Sequence, residues 1–307
     1  MGSDRVVIGT RGSALALWQA DHVAALLRAA HPSLVVERSI IVTTGDRTPQ
    51  APVWEAGGKA VWVKEIEAAL LAGEIDLAVH SLKDVPAELA PGLVLAAIPP
   101  RADARDALVS RDGTTLADLP ADARVGTTSL RRICQVRALR PDLRLETLRG
   151  NLDTRLRKVA DGLVDAAILA CAGLDRLGLS HHIAERIPIE RMLPAIGQGA
   201  LAVESREADE RVRLLCRALA SEEAEITVTA ERALLQRLGA GCRTPVAGTA
   251  RVQQGTLEVW GLVGRPDGAT LLREHVTGEP SAAQALGRAL AEALLARGAD
   301  RILAEFR

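Results

Sequence analysis

The sequence predicts an α/β protein that closes in a smaller α+β domain. Three observations carry this reading. Short apolar runs at Val6 to Ile8, Val35 to Val42, Asp76 to Val79, Arg124 to Gly126, Leu143 to Leu148 and Ala166 to Ala170 alternate with helical stretches. Several of these runs stop in glycine-bearing or charged turns, the end at which open α/β sheets place ligands. From Glu222 the order becomes one helix ending near Leu238, three strands (Val246 to Arg251, Thr256 to Gly264, Leu271 to Val276) and a long helix from Ser281 to Arg297, which suits an antiparallel sheet.

With 307 residues and 48% hydrophobic content the chain can form two or three domains with real cores. A formal charge of -1 speaks against a dedicated nucleic-acid binder. No segment approaches the roughly 20 apolar residues of a membrane span. The helix from Ala14 to Ala30 is broken by Gln19, Asp21, His22 and Arg28, so it is no secretory signal. Cys134, Cys171, Cys216 and Cys242 show no CxxC spacing, which gives neither a zinc site nor a disulfide framework. A soluble, cytoplasmic protein with reduced thiols and no metal is expected. Of 38 basic residues only Lys59, Lys64, Lys83 and Lys158 are lysines, so an arginine alone says little here and a lysine slightly more.

In order, the first strand feeds Gly9-Thr-Arg-Gly-Ser13, a tight turn whose free N–H groups suit an anion beside Arg11. Ser13 is the expected N-cap, and the spacing is not GxGxxG. The second strand runs into a long loop, Thr44 to Gly58, and then a helix from Val61 to Ala72. The next strand stops abruptly in His80-Ser-Leu-Lys-Asp-Val-Pro86, where Lys83 and Asp84 offer both signs of charge and Pro86 restricts Val85 to extended geometry. That turn reads either as a ligand site or as a solvated turn.

Pro99-Pro100 ends the region and the pattern restarts. Ser129 caps a helix from Leu130 to Leu139 whose first turn holds Arg131 and Arg132. Two cations at the positive end of a helix dipole cost a few tenths to ~1 kcal/mol each. They read as anion ligands, or as side chains turned to water. Exchange of either for Leu is expected to leave the fold intact and to raise the melting temperature slightly. Arg149-Gly-Asn151 repeats the device, with Asn151 as cap and Arg155, Arg157 and Lys158 in the first turns. Cys134 and Cys171 read as small core residues, and the adjacent His181 and His182 as surface residues facing apart. Gly197-Gln-Gly199 leads into a strand that returns to the first region, followed by a helix from Glu207 to Ala218. The expected domains are 1–99 with 200–217, 100–199, and 218–307. Gly239-Ala-Gly-Cys242-Arg-Thr-Pro245 sets a thiol in a glycine-flanked loop, and Arg243 beside it favours the thiolate. No sequence-local histidine serves it as a base, and permanent attachment of a group is one reading of it.

Together the stretches Gly9 to Ser13 with Gln19, Lys59 to Glu67, His80 to Pro86, Gly126 to Arg132, Arg149 to Asn151 with Arg155, Gly197 to Ala200, and Gly241-Cys242 with Pro245 resemble porphobilinogen deaminase, the hydroxymethylbilane synthase family. The resemblance spans nearly the whole chain. It implies two periplasmic-binding-protein-like (type II) α/β domains around a cleft and a small α+β C-terminal domain with a three-stranded antiparallel sheet. It implies head-to-tail condensation of four porphobilinogen molecules into hydroxymethylbilane with loss of ammonia, for porphyrin and haem biosynthesis, by a monomer without nucleic-acid or membrane partners. A dipyrromethane cofactor is implied on Cys242 through a thioether. By the same resemblance Asp84 is catalytic, and Lys83, Thr127, Ser129, Arg131, Arg132 and Gly173 contact the cofactor. Arg11, Ser13, Gln19, Lys59, Trp62, Arg149, Arg155 and Gln198 contact substrate, with Lys59 on a loop over the cleft.

Physically this fits. Each pyrrole carries two carboxylates, which arginine forks bind bidentately. Loss of ammonia leaves a cationic pyrrole that a fixed carboxylate at Asp84 stabilises, with nearby cations keeping that group ionised. Trp62 stands where the family usually has phenylalanine, and Ala240 where it commonly has glycine. The competing expectation is a carboxylate-binding protein without chemistry, since the same architecture serves both.

Overall fold

A computed structural model describes residues 5–47, 62–241 and 244–306. The chain divides into two compact units, Met1–Ala102 with Ala200–Glu225, and Asp103–Gly199 with Ile226–Arg307. In chain order the elements begin β1 (Arg5–Thr10), α1 (Ala14–Ala30), β2 (Val35–Ile40), α2 (Thr44–Arg47), α3 (Lys64–Leu71), β3 (Leu77–Ser81) and β4 (Leu93–Ala97). Next come β5 (Asp106–Ser110), β6 (Arg124–Gly126), α4 (Leu130–Leu139), β7 (Arg144–Glu146), α5 (Leu152–Ala160), β8 (Ala166–Ala170), α6 (Cys171–Arg176) and β9 (Glu185–Ile187). The last are β10 (Leu201–Arg206), α7 (Glu210–Arg217), α8 (Glu222–Leu238), β11 (Val246–Gln253), β12 (Thr256–Gly264), β13 (Leu271–Gly278), α9 (Ala283–Ala296) and α10 (Ala299–Ala304).

The first unit holds a five-stranded sheet in the order β2-β1-β3-β10-β4, with β10 antiparallel to both neighbours. The second holds the same pattern, β7-β6-β8-β5-β9, with β5 as the antiparallel strand. In each, a parallel trio accepts one reversed strand from a remote stretch, the architecture of type II periplasmic-binding-protein-like domains. Helix α1 starts where expected, because the Ser13 hydroxyl accepts from the Ala16 N–H, and it buries Ala20, Val23, Ala24 and Leu27 against β1 and β3. Strand β3 alternates strictly. Leu77 and Val79 pack toward α1, while Ala78 faces Ile66 and Leu70 of α3.

The three strands β11, β12 and β13 form a separate antiparallel sheet within the second unit. Its larger core joins Leu234 of α8, Leu290 and Leu294 of α9, and Leu257, Val259 and Val263 of β12. Ala247 and Leu262 instead meet Cys134 of α4 and Leu193. Helices α8 and α9 cross almost backbone to backbone, since a Cβ on Gly287 would lie 2.1 Å from the Ala230 carbonyl oxygen. Gly287→Ala should therefore destabilise by about 1–3 kcal/mol through overlap, more than the ~1 kcal/mol that alanine gains in helix propensity. A urea midpoint at or above that of the wild type would contradict this close approach.

The structure adds strands β4, β5 and β9: the first two are short apolar runs without a following helix to flag them, and β9 is only Glu185-Arg-Ile187. Helix α3 runs Lys64–Leu71, shorter than expected, and the loop expected from Thr44 opens with α2; residues 48–61 lie outside the described residues. Helix α5 ends at Ala160, so Arg157 and Lys158 occupy its last turn, the end that favours cations, rather than its first. The expected final helix, Ser281 to Arg297, is α9, and a further helix that the sequence reading did not include, α10, follows it after Gly298, which takes a left-handed φ of 92°.

Candidate active site

At the carboxyl end of β3 the chain tightens into a 3₁₀ turn, Leu82–Asp84. Leu82 is buried and its N–H donates to the Ala200 carbonyl at 3.0 Å, while Val85, extended before Pro86, closes the turn by donating to Leu82. The anchoring leaves Asp84 and Lys83 half-buried on a rigid support. Asp84 lines a cavity of about 90 Å³ with Arg11, Ser13, Gln19, Trp62, His80 and Ser81. Expected contacts from four separate stretches of sequence thus converge there. A larger cavity of about 470 Å³ in the second unit, against Trp260 and His275, contains none of the expected residues.

The cavity walls are cross-braced. Gln19 Nε2 donates to Ser81 Oγ at 2.8 Å. Arg11 stacks its guanidinium 4.0 Å above the Trp62 ring, a cation–π contact that the larger indole suits. Arg11 also donates to Asp46 of α2, from Nε at 3.2 Å and from Nη2 at 2.5 Å. Burial alone would raise the Asp46 carboxyl; its hydrogen bonds from Arg11 and Thr43 outweigh that and hold it below the usual range. Asp46 is a partner the sequence reading missed, lying 35 positions from Arg11.

In the second unit the anion met by the helix-start arginines is internal. Arg131 and Arg132, 4% and 7% exposed, both bind Asp106 of β5, which is 0% exposed. Arg131 Nη1 reaches Asp106 Oδ2 at 2.6 Å and the Leu193 carbonyl at 2.8 Å; Arg132 Nη2 reaches Asp106 Oδ1 at 2.7 Å and its Nη1 the Ile168 carbonyl at 2.7 Å. Gln198 Nε2 donates to the same carboxylate at 2.9 Å and to the Ala104 carbonyl at 2.8 Å. Burial pushes the Asp106 carboxyl up, yet the two guanidinium charges prevail and hold it far below the usual range. This corrects the expected effect of a Leu exchange: these side chains are buried in a network, so removing one lowers stability rather than raising it.

The other expected contacts of this unit fall as follows. Thr127 is buried and accepts from the Ser129 N–H at 3.2 Å; Ser129 caps α4 by position without a side-chain bond. Gly173 is buried within α6. Arg155 Nε donates to the Gly150 carbonyl at 2.8 Å and Lys158 to the Arg149 carbonyl at 3.1 Å, so α5 braces the Arg149-Gly150 turn. Gly150 holds φ at 113° and a Cβ there would strike Thr154, which is why that turn needs glycine. His181 and His182 do not face apart: on a short 3₁₀ turn their rings lie 4.2 Å from each other. Lys59 and Cys242 lie outside the described residues.

Does this set suit a group rich in carboxylates? Among the described residues Arg131 and Arg132 each make three hydrogen bonds from five N–H groups, the third being Arg131 Nη2 at 3.2 Å and Arg132 Nε at 3.1 Å from Asp106 Oδ1, and the pair faces one carboxylate with two positive charges. The surplus charge and the remaining donors fit an additional anion, as do the half-buried Arg149, Arg155 and Ser129. Cys134, Cys171 and Cys216 are buried, and burial pushes each thiol up to about 12, which makes poor nucleophiles of all three.

A carboxylate on a rigid strand end, among cations and donors, marks an α/β protein built for a small anionic molecule. The family model described as "Porphobilinogen deaminase, dipyromethane cofactor binding domain" matches residues 6–214, and that described as "Porphobilinogen deaminase, C-terminal domain" matches residues 225–296. Porphobilinogen deaminase of Syntrophotalea carbinolica is 51% identical over 304 residues, covering 99% of this chain and 96% of its own. That of Syntrophobacter fumaroxidans is 49% identical over 304 residues, covering 99% and 98%. Among solved structures, the methionine-binding protein MetQ is similar at 13% identity and a TM-score of 0.43, covering 72% of this chain and 92% of its own. The chain belongs to the porphobilinogen deaminase family.

Proposed function

We propose that the Asp84 cavity is the reacting centre at which this chain joins porphobilinogen molecules head to tail, with release of ammonia, into hydroxymethylbilane. The observation that carries the reading is the convergence of Asp84, Arg11, Gln19, Ser81 and Trp62 on one cavity at the end of β3. In each condensation the bond from the aminomethyl carbon to nitrogen breaks and ammonia leaves. That carbon then bonds to the free ring carbon of its neighbour, which gives up a proton; a final hydrolysis frees the linear tetrapyrrole, water supplying the hydroxymethyl oxygen. Positive charge develops on the pyrrole as ammonia departs, and the Asp84 carboxylate, fixed by the Leu82 anchor, stabilises it without having to reorganise. Arg11 and Ser13 hold substrate carboxylate, Gln19 keeps Ser81 in place, and Trp62 provides an apolar wall. Lys59, outside the described residues, is proposed to contact substrate.

The dipyrromethane group, when bound, supplies the pyrrole ring to which the first substrate is joined. Cys242 is its proposed anchor, and the inert environments of the other thiols support that assignment. In the second unit Arg131, Arg132, Ser129 and Thr127 are proposed to bind its carboxylates, with Gly173 giving close backbone approach; in the first unit Lys83 does so. Arg149 and Arg155 are proposed for substrate, and Gln198 to act through Asp106. The reading extends to a three-domain division at 99/100, 199/200 and 217/218, which the separate core beneath β12 supports. It also extends to a cytoplasmic monomer working without nucleic acid or membrane, in keeping with a net charge of -1.

Intact mass of the purified protein tests this directly. An increment of two pyrrole units is expected, mapping to the peptide that holds Cys242 and missing from Cys242→Ser. An unmodified wild-type chain, or an adduct on another cysteine, would favour the simple carboxylate-binding protein.

A further inference from the structure

Behind the Asp84 cavity lies a buried ionisable pair that the reaction as described does not use. His80 is 6% exposed and Glu204, on β10, is 1% exposed. The register sets Ala202 opposite His80 and Glu204 opposite Ala78, so Glu204 lies diagonal to His80 on the same face of the sheet. His80 Nε2 and Glu204 Oε2 are 3.1 Å apart. The pairing of β10 with β4 breaks register between Val203 and Glu204, the kind of irregularity that re-aims a side chain beside a site. The second carboxylate oxygen, Glu204 Oε1, is buried without a hydrogen-bond partner among the described residues.

The surrounding charges do not neutralise Glu204. From α3, Glu67 faces it, and burial followed by the charge of Glu204 pushes the Glu67 carboxyl up, with His80 opposing. Arg206, two positions along β10, is held by the Leu70 and Ile75 carbonyls and by Asp76 and Asp209. Strand β4 carries no ionisable side chain, and Arg5 of β1 is exposed and paired with Glu37. A carboxylate so deeply buried is tolerated only when paired. The hydrogen-bonding partner the structure gives it, among the described residues, is His80.

We infer that His80 and Glu204 form a positioning pair for Asp84: Glu204 fixes the imidazole by their 3.1 Å contact, and the ring so held, at the wall of the cavity that Asp84 lines, supports the carboxylate form of Asp84. The orientation follows from the cavity lining, which includes His80 and not Glu204. The inference rests on the reading of Asp84 as the reacting carboxylate.

The test is the pH profile of kcat/KM for ammonia release by holoenzyme carrying Glu204→Gln, His80→Gln, or both. Gln at position 80 keeps a donor for Glu204 without the imidazole ring, and Gln at 204 keeps the shape of the carboxylate. Each single variant should move the acid limb upward by about one pH unit, with KM on the plateau little changed, and the double variant should move it no further. Thermal unfolding of the same proteins is followed alongside. A fall in melting temperature with an unmoved acid limb would make the pair merely structural and overturn the inference, as would additive shifts in the double variant. Failure of the Asp84 reading shows itself separately, as normal ammonia release by Asp84→Asn.

Discussion

Holoenzyme carrying Asp84→Asn is expected to release ammonia at least about 10²-fold more slowly than the wild type, with a much smaller change in substrate affinity. The substitution keeps shape and some hydrogen bonding and removes only the charge. On the proposed reading substrate carboxylates are held by Arg11, Arg149 and Arg155, so Asp84 is expected to contribute mainly where positive charge develops, and such interactions govern turnover more than binding. Asp84→Glu keeps the charge on a longer arm and should retain more activity, although the 3₁₀ turn that anchors Leu82 and Val85 gives the backbone little room to adjust. Single-turnover assays on pre-loaded holoenzyme isolate the step. Ammonia release at the wild-type rate by the Asn variant would return Asp84 to a solvated turn.

Asp106→Asn is expected to be the most destabilising single change in the second unit, at about 3–5 kcal/mol, because it leaves two buried guanidinium groups facing each other without a counter-charge. Arg131→Leu should cost less, since Arg132 and Asp106 then remain as a one-to-one pair. The acid dependence has a definite sign. Asp106 titrates below its unfolded value, so its contribution is complete above about pH 4 and is lost as the pH falls below that. Urea titrations from pH 3 to 7 should show that acid-side loss in the wild type and a flatter profile in Asp106→Asn. Equal stability of the two proteins at pH 7 would mean that the network contributes nothing to the fold.

Local pattern made much of this molecule readable. The run that stops at His80 and restarts at Pro86 marks β3 and its turn because the change from apolar to charged is abrupt. The strands from Val246 onward are legible as short apolar runs between turns, although only β13 is exposed along one face, since β11 and β12 bury residues in two clusters. What stayed hidden was pairing across distance. Glu204 gives no sign in sequence of its partner 124 positions earlier, nor Asp106 of Arg131 25 positions later. Each borders a short apolar run, Leu201 to Val203 or Ala107 to Val109, and only the insertion of a reversed strand into each sheet brings them to their partners. For the same reason the cations at the start of α4 were read as waiting for an external anion, when an internal one already holds them.

The reversed strand also dictates when the reacting centre can be completed. During synthesis β1 can receive β3 early, but the other edge of β3 pairs with β10, about 120 residues later. At roughly 5–20 residues per second, the strand carrying Asp84 waits on the order of 6–25 s with open N–H and C=O groups along one side. Strand β4, which also pairs with β10, waits as well. A nascent chain halted before Leu201 should therefore expose a sticky, half-built sheet edge and engage chaperones, whereas one halted far enough beyond Arg206 for β10 to clear the ribosome should not.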